Sequence, residues 1–187
     1  MSYYETYQVI FNCSFDEILT NVKPRKLYEA INLKYAMDYI FKNLYDDISA
    51  KYIIKLGEII NKNINEIDSF RHTPVLIKGA EHIPPNAADV PRLINELIYT
   101  SFQTNNFIKD LADFHIRYER IHPFADGNGR TGRVLLNKIS LANGYLPFVI
   151  NKEQRSEYIK LLAECDVNRM AVLTIPEIGK IYNQKRR

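Results

Sequence analysis

Apolar residues recur at helical spacing through most of this 187-residue chain. Between residues 26 and 43 they fall every three or four positions, and the same spacing returns over 53–60. Further helices are predicted from Asp89, which precedes a proline as a helix start, and over 108–121, 134–142 and 152–165. The pattern predicts a mostly helical protein, and the length is typical of a single domain.

Residues 74–85 do not follow the helical spacing of apolar residues. Short β-forming residues flank a glycine-containing turn at Lys78-Gly79, and Pro84-Pro85 close the segment. Prolines cannot continue a ladder of strand hydrogen bonds, so a pair of short strands would end there. The segment predicts one small β-hairpin in an otherwise helical fold.

Glycine is scarce and unevenly placed. The chain has 7 glycines, whereas average usage of about 7% would give about 13. Three of them lie within residues 127–132. Because glycine is favoured where the backbone needs positive φ or where another group must approach closely, this cluster indicates a site.

Composition excludes several classes of protein. The two cysteines show no metal-binding or redox spacing, and no apolar run approaches the roughly 20 residues of a membrane span. The first residues lack a signal-peptide pattern, which predicts a cytoplasmic protein without a membrane partner, and delivery into another cell as an effector stays open. A net charge of +3, with its densest basic run at the last three residues, does not favour nucleic-acid binding.

The segment 122–133 places a histidine, a carboxylate, small residues and two arginines between two predicted helices. Backbone N–H groups of a Gly-Asn-Gly turn can point into one concavity, and the start of the next helix adds unpaired donors and a positive dipole end. His122, at the edge of this loop, is suited to proton transfer near neutral pH. The segment therefore predicts an anion site beside a general base.

Charged side chains in the segment fit the same chemistry. Arg130 and Arg133 are three residues apart on the predicted helix, so they share a face and can bind phosphate oxygens together. Asp126 is suited to Mg²⁺, which commonly takes one or two protein carboxylates together with phosphate oxygens and water.

Two other interpretations of the glycine cluster compete with this one. Residues 127–132 match G-x-G-x-x-G, but that dinucleotide fingerprint needs a preceding strand within a βαβ unit, whereas a helix is predicted here. A bare helix–turn–helix connection with glycine caps would also use these glycines. The simultaneous presence of His122, Asp126, Asn128 and paired arginines favours a functional site.

These residues resemble the Fic (Fido) family, whose motif is H-x-F-x-(D/E)-G-N-G-R-x-x-R. The chain matches it at every specified position: His122, Phe124, Asp126, Gly127, Asn128, Gly129, Arg130 and Arg133. The resemblance extends to 75–85, which is similar to the family's target-positioning flap, and to 152–158. It implies an all-α Fic fold with one small β-hairpin, as a single domain: an N-terminal helical extension (1–47) and a core (48–187) with a flap (74–85) and a motif loop (122–133).

The resemblance implies transfer of AMP from ATP to a tyrosine, threonine or serine hydroxyl of a target protein, with release of pyrophosphate. His122 would take the hydroxyl proton, Asp126 would hold Mg²⁺, and Phe124 would anchor the loop in the core. Catalytic charge would come from Arg130 and Arg133, and the nucleotide would be bound by Gly127, Asn128, Gly129, both arginines and Asn137. For Asn137 a hydrogen bond to a neighbouring residue is an equal alternative. Lys78, Gly79 and His82 of the flap would meet the target.

One family feature is missing from the sequence. Many members inhibit themselves through a helix with (S/T)-x-x-x-E-(G/N), whose glutamate pairs with the second motif arginine. No serine or threonine here is followed by glutamate four positions later, and the nearest counterpart by position is 6–12. We therefore expect either constitutive activity or inhibition by a separate, antitoxin-like protein, and no glutamate-dependent removal of AMP.

Two alternative functions stay open on sequence grounds. One is transfer of another nucleotide or phosphate-containing group; phosphotransferase relatives have lysine where Gly129 stands, so Gly129 favours AMP transfer. The other is a non-catalytic ATP-binding module. His122 argues against that alternative because binding alone needs no base.

Overall fold

The computed structural model describes residues 23–77 and 79–174. Its α-helices are α1 (Pro24–Lys42), α2 (Ala50–Asn61), α3 (Val90–Thr100), α4 (Phe107–Ile121), α5 (Asn128–Ala142) and α6 (Arg155–Glu164). A 3-10 turn (Ala87–Asp89) precedes α3, and residues 167–174 are also helical. The predicted helical architecture is confirmed. In this part of the chain no helix is both long and apolar enough to cross a membrane, and the cytoplasmic location stays a prediction.

α5 lies at the centre of the fold, in contact with α1, α2 and α4. Leu135 and Leu136 of α5 share one buried apolar cluster with Ile53 and Leu56 of α2 and Ile40 of α1. Full burial of a side chain of this size contributes roughly 1.5–3 kcal/mol. The helix that begins inside the motif is thus held on three sides by packed helices.

α4 lies between two apolar clusters. Phe114 and Tyr118 belong to the main cluster, whereas Ala112 and Ile116 belong to a smaller one with residues of α6 and of 167–174. A helix covered on several sides keeps little surface for water, so polar residues on it are buried as well. The consequence is a set of buried titratable side chains on α4 beside the motif loop.

The end of α4 sets the position of the predicted base. The helix ends at Ile121, as predicted, because Pro123 disfavours helical backbone at the residue before it. His122 adopts a left-handed conformation with φ 52° and ψ 62°, a region that histidine occupies more often than most residues. The chain therefore turns sharply at His122 and enters the loop that starts α5.

The described residues of 74–85 include a turn at Gly79, but the predicted β-hairpin is not shown. Gly79 has φ +80° and the Ala80 N–H donates to the Ile77 carbonyl at 3.1 Å. None of the described residues of this segment is in a strand. An isolated pair of short strands is only marginally stable, and the apolar side chains of Leu76 and Ile83 are exposed rather than packed. Lys78 lies outside the described residues.

Candidate active site

His122 is held by the last turn of α4. Its backbone N–H donates to the Tyr118 carbonyl at 3.1 Å, and its ring Nδ1 lies 3.2 Å from the Glu119 carbonyl oxygen. A carbonyl can only accept, so this contact assigns the proton to Nδ1 and leaves a lone pair on Nε2. Burial lowers the pKa of His122, and the neutral ring is the form that can accept a proton at pH 7.

The motif loop is closed by its own side chains. Asn128 is buried; its Oδ1 accepts from the Phe124 N–H and its Nδ2 donates to the Phe124 carbonyl, both at 2.8 Å. Phe124 is fully buried, and its ring contacts α2 at Gly57, where a Cβ would lie 2.6 Å from Cζ. The glycine in α2 is therefore what admits the Phe124 ring to the core.

Gly127 is required at the tight entry to α5. It has φ +78°, and a Cβ there would lie 2.6 Å from Nδ2 of Asn61. That same Nδ2 donates to the Asp126 carbonyl at 3.2 Å and to the Gly57 carbonyl at 3.0 Å. Both the backbone conformation and the close approach of Asn61 exclude a side chain at this position.

The start of α5 has the free backbone donors that the predicted anion site needs. The helix has no side-chain cap, and its first backbone bond runs from the Thr131 N–H to the Gly127 carbonyl at 2.9 Å. The N–H groups of Asn128, Gly129 and Arg130 precede that bond and have no partner within the helix. Unpaired donors and the positive end of the helix dipole attract phosphate oxygens.

A cavity of about 260 Å³ adjoins this helix start. It brings together His122, Gly129 and Arg133 of the motif, Gly79 and His82 of the 74–85 segment, and Tyr158 and Leu162 of α6. His82 is fixed by its ring Nε2, which donates to the Arg120 carbonyl at 2.9 Å. The motif, the segment and α6 thus meet at one place although they lie far apart in sequence.

The two motif arginines have different neighbours. Arg133 lines the cavity with His122, whereas Nη2 of Arg130 lies 3.5 Å from Oδ1 of Asp126 and 4.0 Å from Oε1 of Glu29 on α1. Arg130 also donates to the Ile60 carbonyl at 3.4 Å. The contacts given for the two guanidinium groups involve different residues, and their joint binding of phosphate stays a prediction.

Asp126 is held in place by positive and polar groups. Its Oδ1 accepts from the Gly127 N–H at 2.7 Å, and its Oδ2 forms an ion pair with Arg25 of α1. No group of three or more His, Cys, Asp or Glu residues suited to a metal ion occurs among the described residues. A single carboxylate nevertheless fits Mg²⁺ when phosphate oxygens and water complete the coordination. A metal at Asp126 would replace Arg25.

Asn137 has a structural partner. Its Oδ1 accepts from the Phe148 N–H at 2.6 Å, which ties the segment after α5 back to the helix. A contact between Asn137 and adenine stays a prediction.

Two buried residues of the site escape sequence reasoning. Arg71 donates to the carbonyls of His122 at 2.8 Å, Pro85 at 2.6 Å and Thr73 at 3.1 Å, so one guanidinium links the base to both ends of the 74–85 segment. No local pattern marks Arg71, because its partners are up to 51 residues away. The other is Glu119, whose only signal is its place three residues before His122 on a buried helix.

Residues 47–140 match the Fic/DOC family. Two curated relatives called "Protein adenylyltransferase Fic" are each 35% identical to this chain. The match to the protein of Drosophila grimshawi runs over 150 residues and covers 74% of this chain and 31% of that protein. The match to the protein of Aedes aegypti runs over 143 residues and covers 72% of this chain and 28% of that protein. The chain thus spans about a third of the length of these relatives.

Solved structures show the same fold. Fic-1 from C. elegans has a TM-score of 0.84 at 23% identity, covering 100% of this chain and 59% of its own. A Fic domain containing signaling protein from Bacteroides thetaiotaomicron has a TM-score of 0.75 at 22% identity, covering 98% and 76%. With the sequence match over 47–140, the motif of 122–133 and this fold, the chain belongs to the Fic/DOC family.

Proposed function

We propose that this chain is a protein adenylyltransferase, which transfers AMP from ATP to a hydroxyl side chain of a target protein. The observation that carries the proposal is His122: its Nδ1 is engaged by the Glu119 carbonyl, its Nε2 keeps a lone pair, and it lines one cavity with Gly129 and Arg133. A base beside an anion cradle is what this transfer needs. The names of the similar proteins support the same reaction class.

His122 is the base in this reaction. Its Nε2 accepts the proton of the target hydroxyl while the hydroxyl oxygen forms a bond to the α-phosphorus of ATP. The bond from that phosphorus to the bridging oxygen breaks, and pyrophosphate leaves with the electron pair. The lowered pKa of His122, caused first by burial, keeps the ring neutral and ready at pH 7.

Phosphate binding falls to α5 and the arginines. Phosphate oxygens are bound by the unpaired N–H groups at the start of α5 and by the Arg133 guanidinium. Arg130, beside Asp126, adds positive charge to the site. Asp126 would hold Mg²⁺, which would supply further neutralisation of the phosphates. Catalysis by position and charge suits a phosphoryl-type transfer, which needs little other chemistry from the protein.

Residues 74–85 are proposed to position the target. Gly79 and His82 line the cavity beside His122, and Leu76 and Ile83 are exposed. A target segment that adds along this edge would be held mainly through its backbone, as a paired strand is, and its hydroxyl would lie near His122. Formation of the hairpin and a contact from Lys78 belong to this proposal.

The test compares the wild type with His122→Ala, using labelled ATP and Mg²⁺ on cell lysates. Loss of the base should lower transfer by about 10²- to 10⁴-fold, while ATP binding measured by calorimetry stays within a few-fold. The matched control is His72→Ala, since His72 is exposed and its Nε2 contacts Ser69 rather than the cavity; it should transfer at the wild-type rate. Equal loss of binding and transfer in His122→Ala would refute the assigned role.

Mass spectrometry of a modified target identifies the group. An added 5′-adenylyl group supports the proposal, and a phosphate or another nucleotide supports the alternative transfer. Gly129 favours AMP, because this position lacks the lysine expected of a phosphotransferase. If ATP binds and no target from any lysate is labelled, the non-catalytic module is the better explanation.

Regulation is the last part of the proposal. The positional counterpart of the inhibitory helix, 6–12, lies outside the described residues and lacks the glutamate in sequence. We therefore propose that the chain is active alone or is held inactive by a separate protein. Labelling by the purified chain without any partner supports the first form; labelling that is suppressed by a co-purified protein supports the second.

A further inference from the structure

Glu119 is a buried carboxyl group that the proposed reaction does not use. It lies on α4, one turn before His122, and is 9% exposed. Its Oε1 is buried and accepts no hydrogen bond from any described residue, and Nε2 of His115 lies 4.0 Å from it. A buried carboxyl group without a hydrogen-bond donor is costly, so its place beside the cavity calls for an explanation.

The fold makes room for this carboxyl group at two glycines of α5. A Cβ at Gly132 would lie 2.4 Å from Oε1 of Glu119, so only glycine admits the carboxyl group there. The Cβ position of Gly129 lies 3.9 Å from Oε2 of Glu119 and 3.2 Å from Nη1 of Arg133. The Glu119 carboxyl and the Arg133 guanidinium therefore flank the same point, at the predicted phosphate cradle.

The groups around Glu119 leave Arg133 as its counter-charge. On α4, burial and then the charge of Arg133 lower the pKa of His115 to about 3, and burial raises the pKa of Tyr118. On α6, burial raises the pKa of Tyr158, whose hydroxyl lies 2.8 Å from Nε2 of His115. These three groups are neutral at pH 7.

Three other titratable or charged groups line the same cavity: His122, Arg120 and His82. His122 is neutral at pH 7, since burial lowers its pKa. Burial raises the pKa of Glu119 to about 7, against the opposing charge of Arg133. Glu119 is thus poised between its two protonation states at pH 7.

We propose that Glu119 is a positioning residue that serves as the internal counter-charge of Arg133, and that binding of a nucleoside triphosphate to Arg133 transfers a proton from solvent to the Glu119 carboxylate. This inference rests on the proposed function. When phosphate oxygens reach Arg133, two anions compete for one guanidinium, and protonation of Glu119 removes one of them. The proton comes from water or buffer, forms an O–H bond on the carboxylate, and no other bond changes.

The test measures protons taken up on binding. A non-hydrolysable ATP analogue is titrated into the full chain at pH 8 by calorimetry in two buffers that differ in heat of ionisation. The wild type should take up roughly one proton more than Glu119→Gln. Titration of the ligand and of His122 contributes equally to both proteins and cancels. The matched control Glu29→Gln removes a partly buried carboxyl group on α1, away from Arg133, and should keep the wild-type uptake.

Each outcome supports or contradicts the proposed role of Glu119. Equal proton uptake by the wild type and Glu119→Gln overturns the inference and leaves the proposed function intact. A wild type that binds no nucleotide overturns both. If Glu119→Gln does not fold, the infrared difference spectrum of the wild type with and without the analogue decides instead: a carboxylate band must convert to a protonated carboxyl band, and an unchanged carboxyl region refutes the proposal.

Discussion

The two arginines of the motif stand one turn apart on α5 in opposite surroundings. Arg130 belongs to an alternating cluster with Asp126, Glu29 and Arg25, in which the Arg25 side chain is 54% exposed. The Arg133 guanidinium and the carboxyl group of Glu119, which is almost completely buried, flank the Cβ position of Gly129 at 3.2 Å and 3.9 Å. Water and salt screen charges of the first kind far more than charges of the second kind.

This difference separates two tasks at one site. Ion pairs in the Arg130 cluster exchange at small cost, which suits a carboxylate that must release Arg25 to accept a metal. The Glu119 charge on the Arg133 side is expensive to bury, because water reaches this carboxyl group little. It suits a group that is held in place and whose protonation shifts when a ligand arrives.

The largest expected effect is on the buried side, in the stability of Glu119→Gln. The Glu119 pKa is raised from its ordinary value of 4.5 to about 7, so folding binds a proton between those values and the wild type loses stability as pH rises through that window. The variant lacks this loss. Its free energy of unfolding relative to the wild type should improve by up to about 3 kcal/mol from pH 4.5 to pH 8, as measured by urea denaturation.

Glu29→Gln is the counterpart in the Arg130 cluster, where the Glu29 side chain is 20% exposed. Burial raises the pKa of Glu29, but Lys26 and Arg130 outweigh it, so the net pKa is lowered. The Glu29 carboxylate therefore stabilises the fold at neutral pH, and its contribution to stability is lost as pH falls. The variant should be less stable than the wild type at pH 8 by less than about 1 kcal/mol. The same pH trend in both variants would contradict the comparison.

The next effect comes from filling the glycines between α4 and α5. Gly132→Ala places a methyl group 2.4 Å from Oε1 of Glu119 and 3.0 Å from Cδ1 of Tyr118, and overpacking of this kind costs about 1–3 kcal/mol. Gly129→Ala meets only the end of the Arg133 side chain at 3.2 Å. It should keep wild-type stability and weaken nucleotide binding. Thermal unfolding measures the stability of the two variants, and calorimetry measures their nucleotide binding. Equal destabilisation of both variants would show that the Arg133 side chain is as fixed as that of Glu119.

The smallest effect is expected on the exposed side, from Arg25→Ala. Removal of the Arg25–Asp126 ion pair should change the free energy of unfolding by less than about 1 kcal/mol. It should also tighten Mn²⁺ binding to the complex with an ATP analogue, because Asp126 no longer has to release Arg25. Lys26→Ala is the control, since Lys26 pairs with Glu29 at 2.7 Å and not with Asp126. Weaker metal binding in Arg25→Ala would mean that Arg25 assists the metal.

Local rules account for much of the fold. Helical spacing predicts α1 and α2, and the proline after His122 predicts where α4 ends. The motif itself predicts a loop and a helix start, because its glycines and polar residues have local roles. These features depend on residues within a few positions of one another.

Long-range packing accounts for what sequence reasoning misses. Arg130 and Arg133 share a helix turn, but their surroundings are set by Glu29 from α1 and Glu119 from α4. Sequence reasoning assigns Gly132 no role, because the carboxyl group that needs the space arrives on another helix. The predicted hairpin depended on strand formers alone, without a packed face to stabilise it.

Arg71 has an evolutionary consequence. Because one guanidinium binds the carbonyls of Thr73 and Pro85 together with that of His122, the two stems of the 74–85 segment are tied to the base whatever lies between them. If that segment determines which targets bind, the residues at its tip can change in evolution without moving the catalytic group. New target preferences can then arise by exchange of about ten residues, within the loop lengths that compact domains tolerate.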